Sequence, residues 1–304
     1  MNQVIMVVPT IAKDVPKLLG NIDLYFSFLP IKGICVVAPP DVESLLPTDA
    51  RISFIPETDV VDFATVESLI LKKGGVKASK RAGWYVQQFI KLAYSRITND
   101  DYYLLWDSDT VPVKNILLFN EDGVPYLDYK TEYHQPYFDT IAKLLPGFHK
   151  EFNGSFISEH MLVETSVMQD LLLKIESNNS IEGSSFVEKI INAVDAENLS
   201  KSGFSEFESF GTYVYKKHRE RYIIREWHSM RSGAFFFDGS KSLSKDTLNW
   251  LAQNYDAISF EKGDSISLAS SMIQKELYRK VFKSSFLDVL SFIIKGFRKV
   301  LRTR

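Results

Sequence analysis

The run Tyr102-Tyr103-Leu104-Leu105-Trp106 ends abruptly in Asp107-Ser108-Asp109, and no other stretch constrains the fold as tightly. Five apolar or aromatic residues in succession read as a strand buried on both faces. Such a strand belongs inside a sheet covered by helices, and its C-terminal end is where open α/β sheets place their ligands. Two acids at positions i and i+2 on that edge can share one hard cation, which can in turn hold a diphosphate. A polar turn without a ligand is the simpler reading of two aspartates alone, so the flanking segments have to decide.

Upstream, strand and helix alternate. A strand is predicted at 4–8, stopped by Pro9-Thr10. Asp14 then caps a helix with Pro16 in its first turn, and Leu18, Ile22, Tyr25 and Leu29 recur at helical spacing before Pro30. Further strands are expected at 33–37 and 51–55, with a short helix at 41–46 between them. A helix at 66–72 leads into a basic loop at 73–82. Gly83 opens another helix, whose apolar stripe is Val86, Phe89, Ile90 and Ala93. This β-α-β order predicts an α/β fold, a mostly parallel sheet flanked by helices. Past Asp109 the pattern loosens into short strands or turns at 111–113 and 124–129 and a helix at 136–145. A strand at 155–163 runs into a helix at 165–175, helices follow at 185–194, 205–217 and 266–278, and short strands fall at 222–227 and 234–237. No repeat or low-complexity linker marks a sharp boundary. The chain divides only into a main domain over 1–240 and a C-terminal helical extension over 241–304.

At 304 residues the chain can bury a large core. Its formal charge of −2 gives no global field that would favour nucleic acid. The single cysteine, Cys35, excludes a disulfide framework and a Cys/His metal cluster, which fits a reducing cytosol. The first nine residues lack a basic head and a long apolar stretch, so they read as a strand rather than a signal peptide. No run approaches the roughly 18 apolar residues that span a bilayer.

Four groups besides the acidic pair carry candidate chemistry. The segment 72–84 is basic, contains glycines and runs into a helix N-terminus, which suits anion binding by Lys80 and Arg81; a solvated basic loop fits equally. Trp84, Gln87, Gln88 and Lys91 share the polar side of the following helix, where the amides reach a polar cleft or simply face water. In Phe204-Ser205-Glu206-Phe207-Glu208, Ser205 and Glu208 have capping-box spacing. That leaves Glu206 the better candidate for a general base, with Glu208 second. His160 ends a predicted strand and His228 follows another, close to Arg231. Either could complete a metal shell or bind diphosphate, though a hydrogen-bonded structural role is the simpler reading of each. Finally, 279–304 combines an apolar stripe (Phe286, Leu290, Ile294, Phe297) with Lys295, Arg298, Lys299 and Arg302. Such a basic amphipathic helix suits an anionic membrane surface, or docks on the protein's own core.

Together, Val7-Val8-Pro9-Thr10, Gly83-Trp84 with Gln87-Gln88 and Lys91, Asp107-Ser108-Asp109, Ser158-Glu159-His160-Met161, and the 205–213 segment resemble a known group. They are similar to bacterial GT-A-fold glycosyltransferases of cell-surface polysaccharide synthesis, of the DUF6492-like type. The resemblance covers roughly 1–240 and leaves out the tail. It implies a GT-A, Rossmann-like sheet and transfer of a sugar from a nucleotide-diphosphate donor to a lipid-linked glycan. UDP-galactofuranose or UDP-galactose would serve an O-antigen or lipopolysaccharide pathway. It further implies that Asp107 and Asp109 meet Mn²⁺ or Mg²⁺ and the donor diphosphate, with His228 the candidate third ligand. Thr10 would lie near the nucleotide, and Lys80, Arg81, Trp84, Gln87, Gln88 and Arg231 would serve the donor. His160 falls to the acceptor side, and Glu206 or Glu208 to the base of an inverting reaction. The expected location is cytoplasmic, peripheral on the inner face of the membrane.

Other classes remain in view. A sugar-1-phosphate nucleotidyltransferase would carry a glycine-rich basic loop after the first strand, where this chain has Pro9-Thr10-Ile11-Ala12-Lys13-Asp14. A glycoside hydrolase would use paired acids without a metal. A catalytically silent membrane-associated glycan-binding protein would show no metal-dependent affinity for a nucleotide.

Overall fold

The computed structural model describes residues 3–231, 233–237 and 239–260. In chain order the elements begin with β1 (Val4–Pro9), α1 (Val15–Phe28), β2 (Ile31–Ala38), β3 (Ile52–Pro56), α2 (Phe63–Ser79), α3 (Ala82–Ala93) and β4 (Tyr102–Trp106). There follow β5 (Thr110–Pro112), β6 (Tyr126–Tyr129), α4 (Gln135–Leu144), β7 (His160–Glu164), α5 (Thr165–Ser177) and α6 (Phe186–Ala193). The described part closes with α7 (Ala196–Leu199), α8 (Glu206–Lys217), β8 (Ile223–Glu226), β9 (Ser229–Met230), α9 (Lys245–Leu251) and β10 (Ala257–Ser259).

Five strands form the central sheet in the order β3-β2-β1-β4-β7. The first four run parallel and β7 runs antiparallel to β4. The fold is therefore the expected α/β one, a mixed and mostly parallel sheet. Because side chains alternate across a strand, β4 serves two cores. Tyr103 and Leu105 pack with Phe89, Met168 and Leu171 on one side. Leu104 and Trp106 pack with Met6, Val8, Leu18 and Tyr25 on the other. Both faces are covered, which is why this strand is apolar at every position.

A second sheet, β5-β10-β9, stands at the C-terminal edge of β4, with β10 antiparallel to β5 and parallel to β9. Residues 241–260, the start of the expected helical extension, are woven into it. Leu251, Ile258 and Phe260 share a core with Val111, Val113 and Phe237. The helix expected at 266–278 and the basic amphipathic tail lie outside the described residues. Among the described residues no helix is long and apolar enough to cross a membrane.

Two local expectations are corrected. The basic stretch from 73 is helical as far as Ser79, broken only at Gly75, whose φ of 74° turns the backbone within α2. Lys73 Nζ reaches the carbonyls of Ile191 and Asn192 at 2.9 and 2.5 Å and so caps the end of α6 instead of meeting a ligand. The strand expected at 234–237 is a 3₁₀ turn over Gly233–Phe235, because Phe236 and Phe237 both donate their N–H to the Gly233 carbonyl.

Candidate active site

The acidic turn is bolted in place from several directions. Asp107 N–H donates to the Glu159 carbonyl at 3.0 Å, and Thr110 N–H donates back to the Asp107 carbonyl at 3.0 Å. The buried Tyr25 hydroxyl donates to the carbonyls of Ser108 and Thr110, and Trp106 Nε1 also donates to Thr110 O. Phe260 N–H closes on the Asp109 carbonyl at 2.9 Å. Asp107 and Asp109 line a cleft of about 350 Å³ whose walls also carry Trp84, Gln88, Glu206 and Arg231.

The opposite wall is one face of α3. Trp84, Gln87, Gln88 and Lys91 recur at i, i+3, i+4 and i+7, so a helix brings them to one side, and all four line the cleft. Lys91, only 3 % exposed, had no assigned role in the sequence reading, yet it is the centre of the site. Its ammonium lies 2.7 Å from Asp107 Oδ1 and 2.7 Å from Glu206 Oε1, and 4.2 Å from the centre of the Phe207 ring. The two acceptor oxygens are thus no further apart than twice that ion-pair distance, although the residues are far apart in sequence. Burial disfavours the charge on Lys91, but Asp107 and Glu206 outweigh it and raise its pKa above that of an ordinary lysine.

The N-terminus of α8 supplies Glu206. Ser205 caps the helix by accepting the Glu208 N–H at 3.2 Å. Glu206 N–H donates to Gln88 Oε1 at 3.3 Å, tying α8 to α3. Glu208 is a correction: its carboxylate neither completes the capping box nor enters the cleft. It turns away to accept from Ser155 Oγ at 2.6 Å and Phe156 N–H at 3.3 Å. Burial raises its pKa, with the Ser155 hydrogen bond opposing.

The histidines are corrections as well. His160 is 1 % exposed, with Nε2 2.9 Å from Asp128 Oδ2 and Nδ1 2.9 Å from the Ser158 carbonyl. It packs on the rings of Trp106 and Trp227, so an acceptor has no route to it. Asp128 also takes a bidentate contact from Arg225 at 2.6 and 2.8 Å. Despite burial, Arg225 and His160 together hold its pKa below the usual carboxylate range. His228 is exposed, its backbone exchanging hydrogen bonds with Asp256, and it is not gathered with the aspartates. Among the described residues no three His, Cys, Asp or Glu side chains form a group able to hold a metal.

The remaining sequence candidates divide. Arg231 lines the cleft, with Nε 3.4 Å from Glu159 and a further contact to Glu132. Arg81 lies over the Trp84 ring at 4.3 Å and does not itself line the cleft. Lys80 is exposed and lines no part of it. Thr10 follows β1 at the same sheet edge, with its hydroxyl buried and unpartnered among the described residues. Glu159, quoted above only as part of a motif, has a structural task. Among the described residues it is the non-glycine residue with positive φ, 58°. Its buried carboxylate accepts from Lys130 at 2.8 Å and from Ser229 and Trp227. Backbone strain there is offset by that network.

The donor set suits a hard divalent cation in part. Asp107 gives one oxygen to Lys91 and retains the other, and Asp109 adds a second carboxylate on the same turn. Two aspartates are too few for an all-protein cage, so substrate phosphates and water would have to complete the coordination.

The family model for DUF6492, a family of unknown function, matches residues 15–263. The chain belongs to the DUF6492 family. No curated protein matches it. Among solved structures, mouse xyloside xylosyltransferase 1 in its apo form is similar at 13% identity and a TM-score of 0.42, covering 87% of this chain and 100% of that one. The galactosyltransferase LgtC, complexed with donor and acceptor sugar analogues, gives 10% identity and a TM-score of 0.43 over 93% and 96% of the two chains. The glycosyltransferase GlyE of Streptococcus pneumoniae gives 11% and 0.37 over 97% and 64%.

Proposed function

We propose that this DUF6492 protein is a metal-dependent glycosyltransferase of the GT-A kind. It would move a sugar from a nucleotide-diphosphate donor to a hydroxyl of a lipid-linked glycan. The observation that carries this reading is the convergence of Asp107, Asp109, Lys91 and Glu206 on one cleft at the C-terminal edge of β4. Asp107 and Asp109 would hold Mn²⁺ or Mg²⁺, which supplies Lewis-acid stabilisation of the departing diphosphate. Arg231 would add charge-assisted hydrogen bonds to phosphate oxygens. Lys91 orients both carboxylates. Trp84, Gln87 and Gln88 shape the donor side, Arg81 packs over the Trp84 ring, and Thr10 follows β1 in the same sheet.

In the transfer step the acceptor oxygen forms a bond to the anomeric carbon as the bond from that carbon to the diphosphate breaks. The acceptor proton passes to Glu206, whose Oε1 is held by Lys91, leaving Oε2 for the substrate. Attack from the face opposite the leaving group inverts the anomeric centre. Holding both substrates in one cleft contributes much of the rate. UDP-galactose and UDP-galactofuranose are the first donors to try, and an O-antigen-type glycan the first acceptor. The basic sequence of the tail supports a position on the cytoplasmic face of an anionic membrane, beside that acceptor.

The test is turnover with a panel of UDP- and GDP-sugars, with and without EDTA, for wild type and Asp109→Ala. Metal-dependent release of the nucleotide, abolished in Asp109→Ala, is expected. Turnover that survives EDTA, or full activity in the variant, would sink the proposal. NMR of the new linkage reads the stereochemistry, and retention would remove Glu206 from the role of base. Nucleotide binding that is indifferent to metal would favour a silent glycan-binding protein.

A further inference from the structure

We infer that Gln88 is a specificity-determining residue, donating its side-chain amide to a hydroxyl oxygen of the transferred sugar. The inference rests on the glycosyl-transfer reading and narrows it to one contact. Gln88 lies on the cleft face of α3 and is 3 % exposed. Its Oε1 accepts the N–H of Glu206 at 3.3 Å, one of the N–H groups that a helix N-terminus leaves without an intrahelical partner. Because the backbone group can only donate, this contact fixes the amide's orientation: oxygen toward α8, nitrogen away from it. That nitrogen, Nε2, is buried and has no hydrogen-bond partner among the described residues.

A buried amide donor left unmatched costs about 1–3 kcal/mol, so the position is suited to an acceptor that arrives with the substrate. Its surroundings indicate which kind. One turn before Gln88 is Trp84, and one turn after it is Lys91, whose ammonium joins Asp107 to Glu206. The amide is therefore tied to the backbone of Glu206, the residue whose carboxylate is assigned to the reacting hydroxyl. The two aspartates of the turn and Arg231 provide the charged groups for the diphosphate. A neutral donor next to Glu206 suits a neutral oxygen, and a ring hydroxyl meets it in one epimer and misses it in the other. The epimer that misses would leave Nε2 unpaired, a penalty of tenfold to a hundredfold in kcat/KM.

The experiment uses the full chain with UDP-hexoses that differ at single hydroxyls, and with the monodeoxy analogues of the preferred donor. Wild type should discriminate between one pair of epimers by about tenfold to a hundredfold. Gln88→Met, which keeps length and volume, should lose that discrimination. One deoxy analogue should be poor for wild type yet turned over by Gln88→Met as well as the parent sugar is. Circular dichroism and thermal melting report whether the variant folds. If Gln88→Met does not fold, Gln88→Leu takes its place, because it removes the donor at similar volume without adding charge to the cleft. A wild type silent toward every donor overturns the glycosyl-transfer reading and this contact with it. An active wild type whose discrimination persists in the variants overturns the assignment to Gln88 alone.

Discussion

Replacing Lys91 by methionine probes the site through stability, independently of any substrate. Each ion pair of the triad is 2.7 Å long, a gross attraction on the order of 6 kcal/mol at an effective dielectric of about 20. Bringing the ammonium and Glu206 out of water offsets several kcal/mol per ion, so the intact arrangement is nearly neutral. Removing one member is not neutral. The Asp107 side chain is 31% exposed and that of Glu206 only 6%, so water can replace the ammonium at Asp107 but hardly at Glu206. Lys91→Met therefore strands a buried carboxylate and should cost about 3–5 kcal/mol, which lowers Tm by about 10 °C for a chain of this size. Adding Glu206→Gln removes the stranded charge and should recover at least about 2 kcal/mol of that loss, the signature of coupled neighbours. Urea unfolding of the two single variants and the double variant measures both quantities, provided the m-values agree. A loss below about 1 kcal/mol in Lys91→Met, or strictly additive effects, would refute the reasoning. The ammonium would then not be locked between the carboxylates.

A built Cβ at Gly211 in α8 would come within 2.2 Å of the Phe156 ring. Gly211→Ala should therefore destabilise by about 1–3 kcal/mol through overpacking, despite the roughly 1 kcal/mol that alanine gains in a helix; a raised melting temperature would contradict this. Glu188 accepts the backbone N–H groups of Ser185 and Ser184 and the Ser184 hydroxyl, which hold its pKa down to about 2 against 4.5 for the free side chain. A carboxylate whose folded pKa is depressed stabilises fully above its unfolded pKa and loses that contribution as pH falls through the folded one. Melting curves taken from pH 5 down to pH 2 should thus fall more steeply for wild type than for Glu188→Gln, and parallel curves would show that the cap does not sense acid.

The strand carrying Asp107 was legible because both of its faces are buried. That demands an unbroken apolar run, and a run of that kind is rare enough to stand out. The α3 face was legible for a related reason: Trp84, Gln87, Gln88 and Lys91 have helical spacing. What spacing did not convey is burial. On a helix with an apolar stripe elsewhere, a polar face reads as a solvated one, whereas Gln88 and Lys91 are covered by α8. Glu206 and Glu208 pose the same difficulty at closer range. They are two residues apart, so a helix turns them some 200° from one another, and only the position of α8 against the cleft shows which one faces it. His160 misled because strand-end histidines read as ligands. Its partners, Asp128 and the indole rings, come from other elements and leave no local signature. The basic segment misled because glycines suggested a loop, while Gly75 is a single non-helical residue at a kink between two helical segments.

The charges that line the cleft explain why a metal belongs in this reading. Asp14, Asp107, Asp109, Glu159 and Glu206 face Lys17, Lys91 and Arg231, five carboxylates against three cations, a formal surplus of two negative charges. A diphosphate approaching that surface is repelled, and repulsion is strongest inside a cleft, where the low-dielectric walls concentrate the field. Lys91 does not relieve it, since its charge is already divided between Asp107 and Glu206. One divalent cation held at the Asp107-Ser108-Asp109 turn, as proposed, would remove the surplus and would make the edge of β4 a seat for phosphate rather than a barrier. On the proposed function, metal dependence of nucleotide binding is then the expectation from the local charge balance alone, without appeal to the chemistry of transfer.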